Sequence, residues 1–299
     1  MTLVRPAREE DVEATAEMLN EHSRRLYGTD DMTSADLLLY WTSPDVELGK
    51  DVLLAESGDG ELGGYADLGV NGDAVWLDVR GTDPETLPAL LEAIESRATE
   101  KEPDKKLWSY SAVGDSPLNE LFEQLGYRTV RHSYRMRIDL DGQPPEPDWP
   151  EGFSVHTMRE GEERRVYEVF NAAFADTWMF HPDPYDIWLH YMVEEPSFDR
   201  SLWFVAEYDG DLAGIVLSRA PENEPGLGWV RVLGVLPQYR QRGFGQALLR
   251  RAFGEFASRG FTTVGLGVDA ENPTGAVRIY ERAGMRVERT NLIFEKLQG

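Results

Sequence analysis

The feature that most constrains this fold is an internal repeat, in which the second half of the chain follows the plan of the first. The segment LLAESGDGELGGY, residues 53–65, is similar to FVAEYDGDLAGIV, residues 204–216. Each joins two apolar stretches through a turn of acidic residues and glycine, which is the pattern of a β-hairpin. The segments 121–138 and 279–296, which close the two halves, are similar as well. A repeat of about half the chain predicts two related domains, because solenoid repeats span only about 20–50 residues.

A proline-rich segment separates the halves. DLDGQPPEPDWPEGF, residues 139–153, holds four prolines together with glycine and acidic residues. That composition does not sustain a helix or a central strand. We therefore expect a first domain over residues 1–140, a linker over 141–152 and a second domain over 153–299.

The apolar pattern of the second half predicts alternating strands and helices. The expected elements are a strand at 153–157, a helix at 161–174, an aromatic segment to about 192, a hairpin at 202–219, a strand at 228–235, a helix at 243–259, a strand at 262–268, a helix at 274–283 and a strand at 286–295. This order predicts a mixed α/β domain. Its central strands, joined by a helix, should run parallel and be flanked by antiparallel strands.

Composition excludes several classes of function. The chain has 54 acidic and 30 basic residues, a net charge of −24, which opposes nucleic-acid binding and favours cationic small molecules through electrostatic steering. It has no cysteine, so disulfides, thiolate zinc sites and cysteine nucleophiles are excluded, and we expect no metal site. No apolar run reaches the roughly 18 residues of a membrane span. Since the start also lacks the layout of a signal peptide, we expect a cytoplasmic protein with no membrane partner.

The stretch QYRQRGFGQ, residues 238–246, is basic in an otherwise acidic chain. It follows an apolar strand and precedes an apolar helix. Gly243 and Gly245 allow the backbone to approach a ligand closely, and the N–H groups of a helix start attract anions. Arg240 and Arg242 add positive charge, so the stretch predicts a pyrophosphate site. It matches neither a P-loop nor a dinucleotide fingerprint, and the alternative is an ordinary strand–helix turn with solvated arginines.

Two stretches together carry a resemblance to a known family. RVLGVLPQYRQRGFGQALL, residues 231–249, followed by VDAENPTGAVRIYERAGM, residues 268–285, resembles the GNAT N-acetyltransferase superfamily. The residues that match its two motifs are Arg240, Gly243 and Gly245 in the first stretch, and Asn272, Ala276, Tyr280 and Gly284 in the second. The resemblance is strong over 153–296 and architectural only over 1–138. It implies two tandem GNAT-like domains, with acetyl-CoA as the donor and CoA as a product.

The resemblance also implies roles for individual residues. The loop and helix start that would bind the pyrophosphate comprise Arg240, Gln241, Arg242, Gly243, Phe244, Gly245, Gln246 and Ala247. The strand before the loop splays from its neighbour, and the backbone of Leu233, Gly234 and Val235 would pair with the pantetheine arm. We expect a β-bulge at Gly234. Asn272 and Ala276 would contact the cofactor arm, and Tyr280 would protonate the leaving thiolate.

Acetyl transfer to an amine requires a neutral amine, a stabilised oxyanion and a proton for the departing sulfur. The Val235 N–H is the candidate oxyanion donor and Tyr280 the candidate acid, although a core aromatic is the alternative role for Tyr280. The candidates for a general base are Asp176, His181, His190, Glu207, Asp269 and Glu271. Deprotonation through water would need none of them.

The aromatic segment ADTWMFHPDPYDIWLHYM, residues 175–192, corresponds to the region that arches over the acceptor in the family. The candidate substrate contacts are Trp178, Phe180, His181 and Trp188, with Arg231 as a candidate partner for an acceptor carboxylate. Core packing is the alternative for the aromatic residues, and an exposed position on the sheet is the alternative for Arg231.

The first half lacks the residues that would bind and use the cofactor. Its segment GTDPETLPALL, residues 81–91, corresponds to the glycine loop but carries Asp83 and Glu85 in place of arginines. In the first half, Phe122 corresponds to Tyr280, and the position that corresponds to Asn272 lies near Gly114. We therefore expect a degenerate first domain that keeps the scaffold but has lost the cofactor chemistry.

The favoured function is an acetyl-CoA-dependent N-acetyltransferase that moves an acetyl group to a primary amine of a small molecule by direct attack, acting as a monomer or homodimer. A peptide N-terminus is a second class of acceptor. The plan is also similar to mycothiol synthases, which acetylate an amino-sugar thiol precursor, but Trp229 stands where those enzymes have a glutamate. A third possibility is a non-catalytic acyl-CoA sensor or scaffold.

Overall fold

The computed structural model describes residues 2–147, 149 and 151–298, and it divides into two compact units. The first unit comprises Met1–His132, Leu189–Pro196 and Thr290–Gly299, and the second comprises Ser133–Trp188 and Ser197–Arg289. The units therefore do not follow the order of the chain, because most of the final strand belongs to the first unit. Within the predicted linker, Asp148 and Pro150 lie outside the described residues.

The first unit is built on a mixed sheet. Its elements are β1 (Leu3–Pro6), α1 (Val12–Tyr27), α2 (Ser34–Trp41), α3 (Leu48–Asp51), β2 (Val52–Glu56), β3 (Leu62–Asn71), β4 (Ala74–Gly81), α4 (Leu87–Lys101), β5 (Lys106–Ala112) and α5 (Ser116–Gln124), with Asn291–Lys296 of β12 (Arg286–Lys296). The strand order is β1-β2-β3-β4-β5-β12, and only β4 and β5 are parallel. One apolar cluster includes the buried side chains of α4, and another includes those of α1 and α2.

The second unit repeats this plan. Its elements are Ser133–Asp139 of β6 (Arg128–Asp139), β7 (Phe153–Thr157), α6 (Glu163–Phe174), the first residues of α7 (Tyr185–Met192), β8 (Trp203–Tyr208), β9 (Asp211–Arg219), β10 (Leu227–Val235), α8 (Phe244–Ser258), β11 (Thr263–Asp269) and α9 (Ala276–Arg282). The strand order is β6-β11-β10-β9-β8-β7, with β10 and β11 parallel and the other pairs antiparallel. The predicted mixed α/β fold is confirmed, whereas α7 was not predicted within the aromatic segment.

Helix α8 lies close to the sheet because the strand beneath it carries glycine at the contact. A Cβ atom added at Gly228 would lie only 2.5 Å from the ring of Phe256. Leu248, Phe253 and Phe256 are all buried on α8. This close packing fixes the helix, and thereby its first turn, against the end of β10.

We expect Gly228→Ala to destabilise the second unit by about 1–3 kcal/mol, because the added methyl group must displace the Phe256 ring. Gly254→Ala is the matched control. It lies on α8, where an added Cβ would meet only the side-chain nitrogen of Gln143 at 3.4 Å, and alanine favours a helix by about 0.5–1 kcal/mol. Urea unfolding followed by circular dichroism measures both. Equal or greater stability of Gly228→Ala would contradict the packing argument.

Candidate functional site

The two central strands of the second unit part before they end. The parallel pairing of β10 with β11 runs from Leu227 to Val230, although β10 continues to Val235. Leu236 donates its N–H to Ala213 on β9 at 2.9 Å. Because successive N–H groups of a strand point to opposite sides, the Val235 N–H points away from β9. The separation implied by the resemblance is therefore present, with strand backbone directed into it.

The bulge in β10 is not where we expected it. The register with β9 shifts between Val230 and Val232, so the extra residue is Arg231 and the prediction of a bulge at Gly234 is wrong. Gly234 instead lies under α6, where an added Cβ would be 3.0 Å from the Cβ of Ala173. Glycine is required at position 234 because α6 and β10 approach each other closely there. From the sequence alone, a glycine needed for close packing looks the same as a glycine in a β-bulge.

The loop after β10 has the backbone geometry of an anion cradle. Gln241 and Gly243 both have left-handed backbone, with φ of 62° and 85°. In turns of this kind, successive backbone N–H groups can form a concavity, called a nest, that binds anions. Gly243 is also the N-cap of α8 and supplies no capping side chain. The first-turn N–H groups of α8 thus open onto the same concavity.

The two loop arginines have different roles in the structure. Arg240 donates to the carbonyl oxygens of Val235 at 3.1 Å and Ala173 at 2.7 Å, and it forms a salt bridge with Asp176. It therefore ties the end of β10 to the end of α6. Its hydrogen bonds also hold the pKa of the Asp176 carboxyl below its usual range.

Arg242, by contrast, is exposed and forms no ion pair within the part of the chain that the structure describes. Its guanidinium lies 5.7 Å from the ring centre of Tyr208 and 5.9 Å from that of Tyr239. Each such cation–π contact stabilises the position of the side chain by about 0.5–1 kcal/mol. Arg242 is therefore the arginine of this loop whose charge is available to an incoming anion.

Three elements meet where α8 begins. A Cβ atom added at Gly245 would lie 3.8 Å from Cγ2 of Val235 on β10 and 3.9 Å from Cδ1 of Ile279 on α9. The side chains of Phe244 and Ala247 are buried, whereas Gln246 is half-buried. Phe244 and Ala247 thus anchor the helix, and only their backbone groups are placed to meet a ligand.

Helix α9 carries the remaining motif residues. Asn272 accepts a hydrogen bond from the Thr274 N–H at 2.9 Å, which shapes the turn before Ala276 opens the helix. One turn later Tyr280 is 8% exposed, and burial raises the pKa of its hydroxyl to about 12. Tyr280 therefore keeps its proton throughout the neutral range.

The aromatic segment divides between the core and the surface. Trp188 is buried and packs against Tyr167 and Trp203 in the core of the second unit. Phe180 packs edge-on against Phe170, 5.4 Å between ring centres. The other candidate contacts are more open, with Trp178 and Arg231 half-buried and His181 exposed.

Most candidate bases already have partners. Asp176 is paired with Arg240, and Glu207 lies 3.9 Å from Arg165. His190 belongs to the first unit, where its ring nitrogens contact the Leu39 carbonyl at 2.7 Å and Glu194 at 3.1 Å. Of these candidates, His181 is the exposed imidazole of the second unit.

In the first unit the two parallel strands also part, but side chains occupy the space between them. The pairing of β4 with β5 ends at Leu77 and Ser109. Beyond it, Arg80 donates to the Tyr110 hydroxyl at 2.7 Å and to Asp78 at 2.8 Å, so side chains bridge the two strands. Within residues 81–91, all of which are described, no residue has a positive φ. The corresponding loop therefore lacks the cradle of the second unit.

Across residues 2–147, 149 and 151–298, no three or more histidine or acidic side chains cluster in a way that could hold a metal ion. Over the same residues, no helix combines the length and the apolar character that spanning a membrane requires.

Comparisons with known proteins agree with this geometry. The Acetyltransferase (GNAT) family matches residues 164–285. A mycothiol acetyltransferase of Streptomyces coelicolor is 30% identical over 97% of this chain and 97% of its own. The crystal structure of a GCN5-related N-acetyltransferase from Sphaerobacter thermophilus has a TM-score of 0.80 and 29% identity, and covers 99% of this chain and 96% of that one. A tandem GNAT protein from the clavulanic acid biosynthesis pathway shares the fold, with a TM-score of 0.74 at 14% identity over 100% and 99% of the two chains.

We expect Arg240→Met to loosen the cradle and Arg242→Met to leave its backbone intact. Arg240 makes hydrogen bonds to two carbonyls and a carboxylate, and losing them should speed amide hydrogen exchange over residues 236–245 roughly tenfold. The Arg242 guanidinium lies against the rings of Tyr208 and Tyr239 and forms no ion pair with a described residue, so its variant should exchange like the wild type. Exchange followed by mass spectrometry measures both, and equal protection in the two variants would show that Arg240 does not hold the loop.

Proposed function

Because the chain belongs to the GNAT acetyltransferase family and is an N-acetyltransferase, we propose that its second unit transfers an acetyl group from acetyl-CoA to the primary amine of a small molecule by direct attack. The observation that carries this proposal is the cradle formed by Gln241, Gly243 and the first turn of α8, directly beyond the parted strands β10 and β11.

The residues of the second unit fit the parts of acetyl-CoA. The N–H groups of the cradle and the Arg242 guanidinium suit the pyrophosphate, since charge-assisted hydrogen bonds contribute about 1.5–3 kcal/mol each. The backbone of Leu233 and the Val235 N–H face away from β9 and suit the pantetheine arm, whereas the Gly234 backbone, also expected there, faces its partner strand β9. The Val235 carbonyl already accepts a hydrogen bond from Arg240. Arg240 therefore positions the end of β10. The Asn272 amide nitrogen donates to no described residue and remains free for the arm.

Acetyl-CoA supplies an activated thioester when it is bound, and the chain supplies polar groups around it. The Val235 N–H would donate to the developing oxyanion, because it points into the separation between the strands. Tyr280 would donate its proton to the departing sulfur, since its raised pKa keeps the hydroxyl protonated. The ion pair of Asp176 with Arg240 removes that carboxylate as a base, and we propose that water deprotonates the amine.

Two classes of amine are candidates for the acceptor. Relatives named mycothiol acetyltransferases favour an amino-sugar thiol precursor as a second candidate. Trp229 opposes it, because the position holds an indole rather than a carboxylate. A Cβ added at Gly265 would lie 2.8 Å from that indole, and the Arg135 guanidinium lies 5.0 Å from its ring centre. A small amine, cationic before it reacts, is favoured by the net charge of −24, because an acidic surface steers cations toward the protein.

We expect Tyr280→Phe to lower kcat by about 10²–10⁴-fold if the tyrosine is the sole acid. Because its pKa is about 12, wild-type kcat should not fall through tyrosine ionisation between pH 7 and pH 10. Thiol release from acetyl-CoA with a panel of amines measures both, and Tyr127→Phe, at a buried tyrosine of the first unit, is the control. An unchanged kcat would remove the role, and CoA binding without release by any amine would favour a sensor.

We expect one coenzyme A to bind per chain. The first unit carries Asp83 near its corresponding loop and a side-chain bridge between its strands, both of which oppose a pyrophosphate and a pantetheine arm. Calorimetric titration measures the stoichiometry, and Arg242→Met should weaken the affinity about tenfold, the loss of one charge-assisted contact. Two coenzyme A molecules per chain would refute the degenerate first unit.

A further inference from the structure

The first unit contains a cavity that the acetyl-transfer site does not use. Its volume is about 200 Å³, and the residues that line it are Met32, Asp36, Leu37, Tyr40, Tyr65, Asp67 and Asp78. A cavity of about 150 Å³ is large enough for benzene. This cavity can therefore hold a small organic group, and its lining combines carboxylates with aromatic and apolar side chains.

Asp67 is the central polar group of this cavity. It is 8% exposed on β3, and its carboxylate accepts hydrogen bonds from the hydroxyls of Tyr40 at 2.8 Å and Tyr65 at 2.6 Å. It forms no ion pair with any lysine, arginine or histidine in the described part of the chain. Both hydroxyls are neutral, so they satisfy the carboxylate without balancing its charge. Burying an unbalanced carboxylate is costly, and a cationic ligand would remove that cost.

The neighbours of Asp67 leave the cavity negative. The ionisable groups around it are Asp31, ahead of α2; Asp36 and Tyr40 on α2; Tyr65 on β3; Asp78 and Arg80 on β4; Tyr110 on β5; and Tyr191, which stacks on Tyr40. Arg80 is the only cation in this set, and it is paired with both Asp78 and Asp31. Burial and the nearby Asp78 raise the pKa of Asp67 to about 7.

We propose that this cavity binds the ammonium group of a small organic amine, with the Asp67 carboxylate as its counter-ion. Tyr40 and Tyr65 also line the cavity, and aromatic rings attract cations. Met32 and Leu37 supply apolar contact for the carbon skeleton. The inference rests on the first unit alone and does not depend on the proposed acetyl transfer.

The test uses the full chain with butylammonium as probe and 1-butanol, of the same size but neutral, as its control. Saturation-transfer NMR titrations should show butylammonium binding at least tenfold more tightly than the alcohol. An alkylammonium keeps its charge up to about pH 10, whereas Asp67 ionises near pH 7. Protonating Asp67 removes the counter-ion, so affinity should rise at least fivefold from pH 5.5 to pH 8.5.

Asp67→Asn should weaken butylammonium binding at least tenfold, whereas Asp104→Asn, which removes an exposed charge of the same unit, should not change it. Circular dichroism checks the folding of both variants. Equal binding of the alcohol, a flat pH profile, undiminished binding by Asp67→Asn, or no binding to the wild type would each overturn the proposal. If Asp67→Asn does not fold, the amine–alcohol difference and the pH profile of the wild type decide it.

Discussion

The site of the second unit depends on the point at which two parallel strands stop pairing. Strand β10 leaves β11 at Val230 yet stays paired with β9 to its end. One side of its last residues is therefore held rigidly while the other is open to a ligand. Since the anion cradle follows β10 directly, its position is fixed by the same strand. The surface that we propose for a long cofactor is thus formed by backbone, which keeps its polar groups whatever side chains the strand carries.

The first unit shows how the same backbone arrangement is used differently. Its strands β4 and β5 also part, but Arg80, Asp78 and Tyr110 join them by side-chain hydrogen bonds. Parted strands without a ligand would leave polar backbone exposed, and here charged and polar side chains fill the space between them. The cavity around Asp67 lies beside this network. If both proposed sites bind their ligands, the duplicated fold carries two kinds of recognition, one through backbone amides for an anion and one through a carboxylate for a cation.

The two arginines of the cradle loop differ in whether their charge is neutralised by the protein. The chain as a whole is strongly acidic, so an arginine that binds an anion must avoid being neutralised by its own protein. Arg240 is neutralised by Asp176 and serves the architecture. Arg242 instead lies against the rings of Tyr208 and Tyr239, which stabilise a cation without neutralising its charge. Aromatic support of this kind suits an acidic protein whose proposed donor, acetyl-CoA, is an anion.

The sequence by itself determined the duplication, the mixed α/β class and the local motifs, because hairpins, helix starts and glycine loops are set by neighbours along the chain. It predicted an anion site at Gly243 and a tyrosine hydroxyl at Tyr280, about one helical turn after Ala276, whereas the burial of that hydroxyl came from the structure. Only the tertiary structure decided which contacts those residues make. It put the bulge at Arg231 rather than Gly234, moved Trp188 into the core and separated the tasks of Arg240 and Arg242. It also assigned most of β12 to the first unit and formed the cavity around Asp67. Each of these depends on residues far apart in sequence, whose approach is set by packing that no local pattern records.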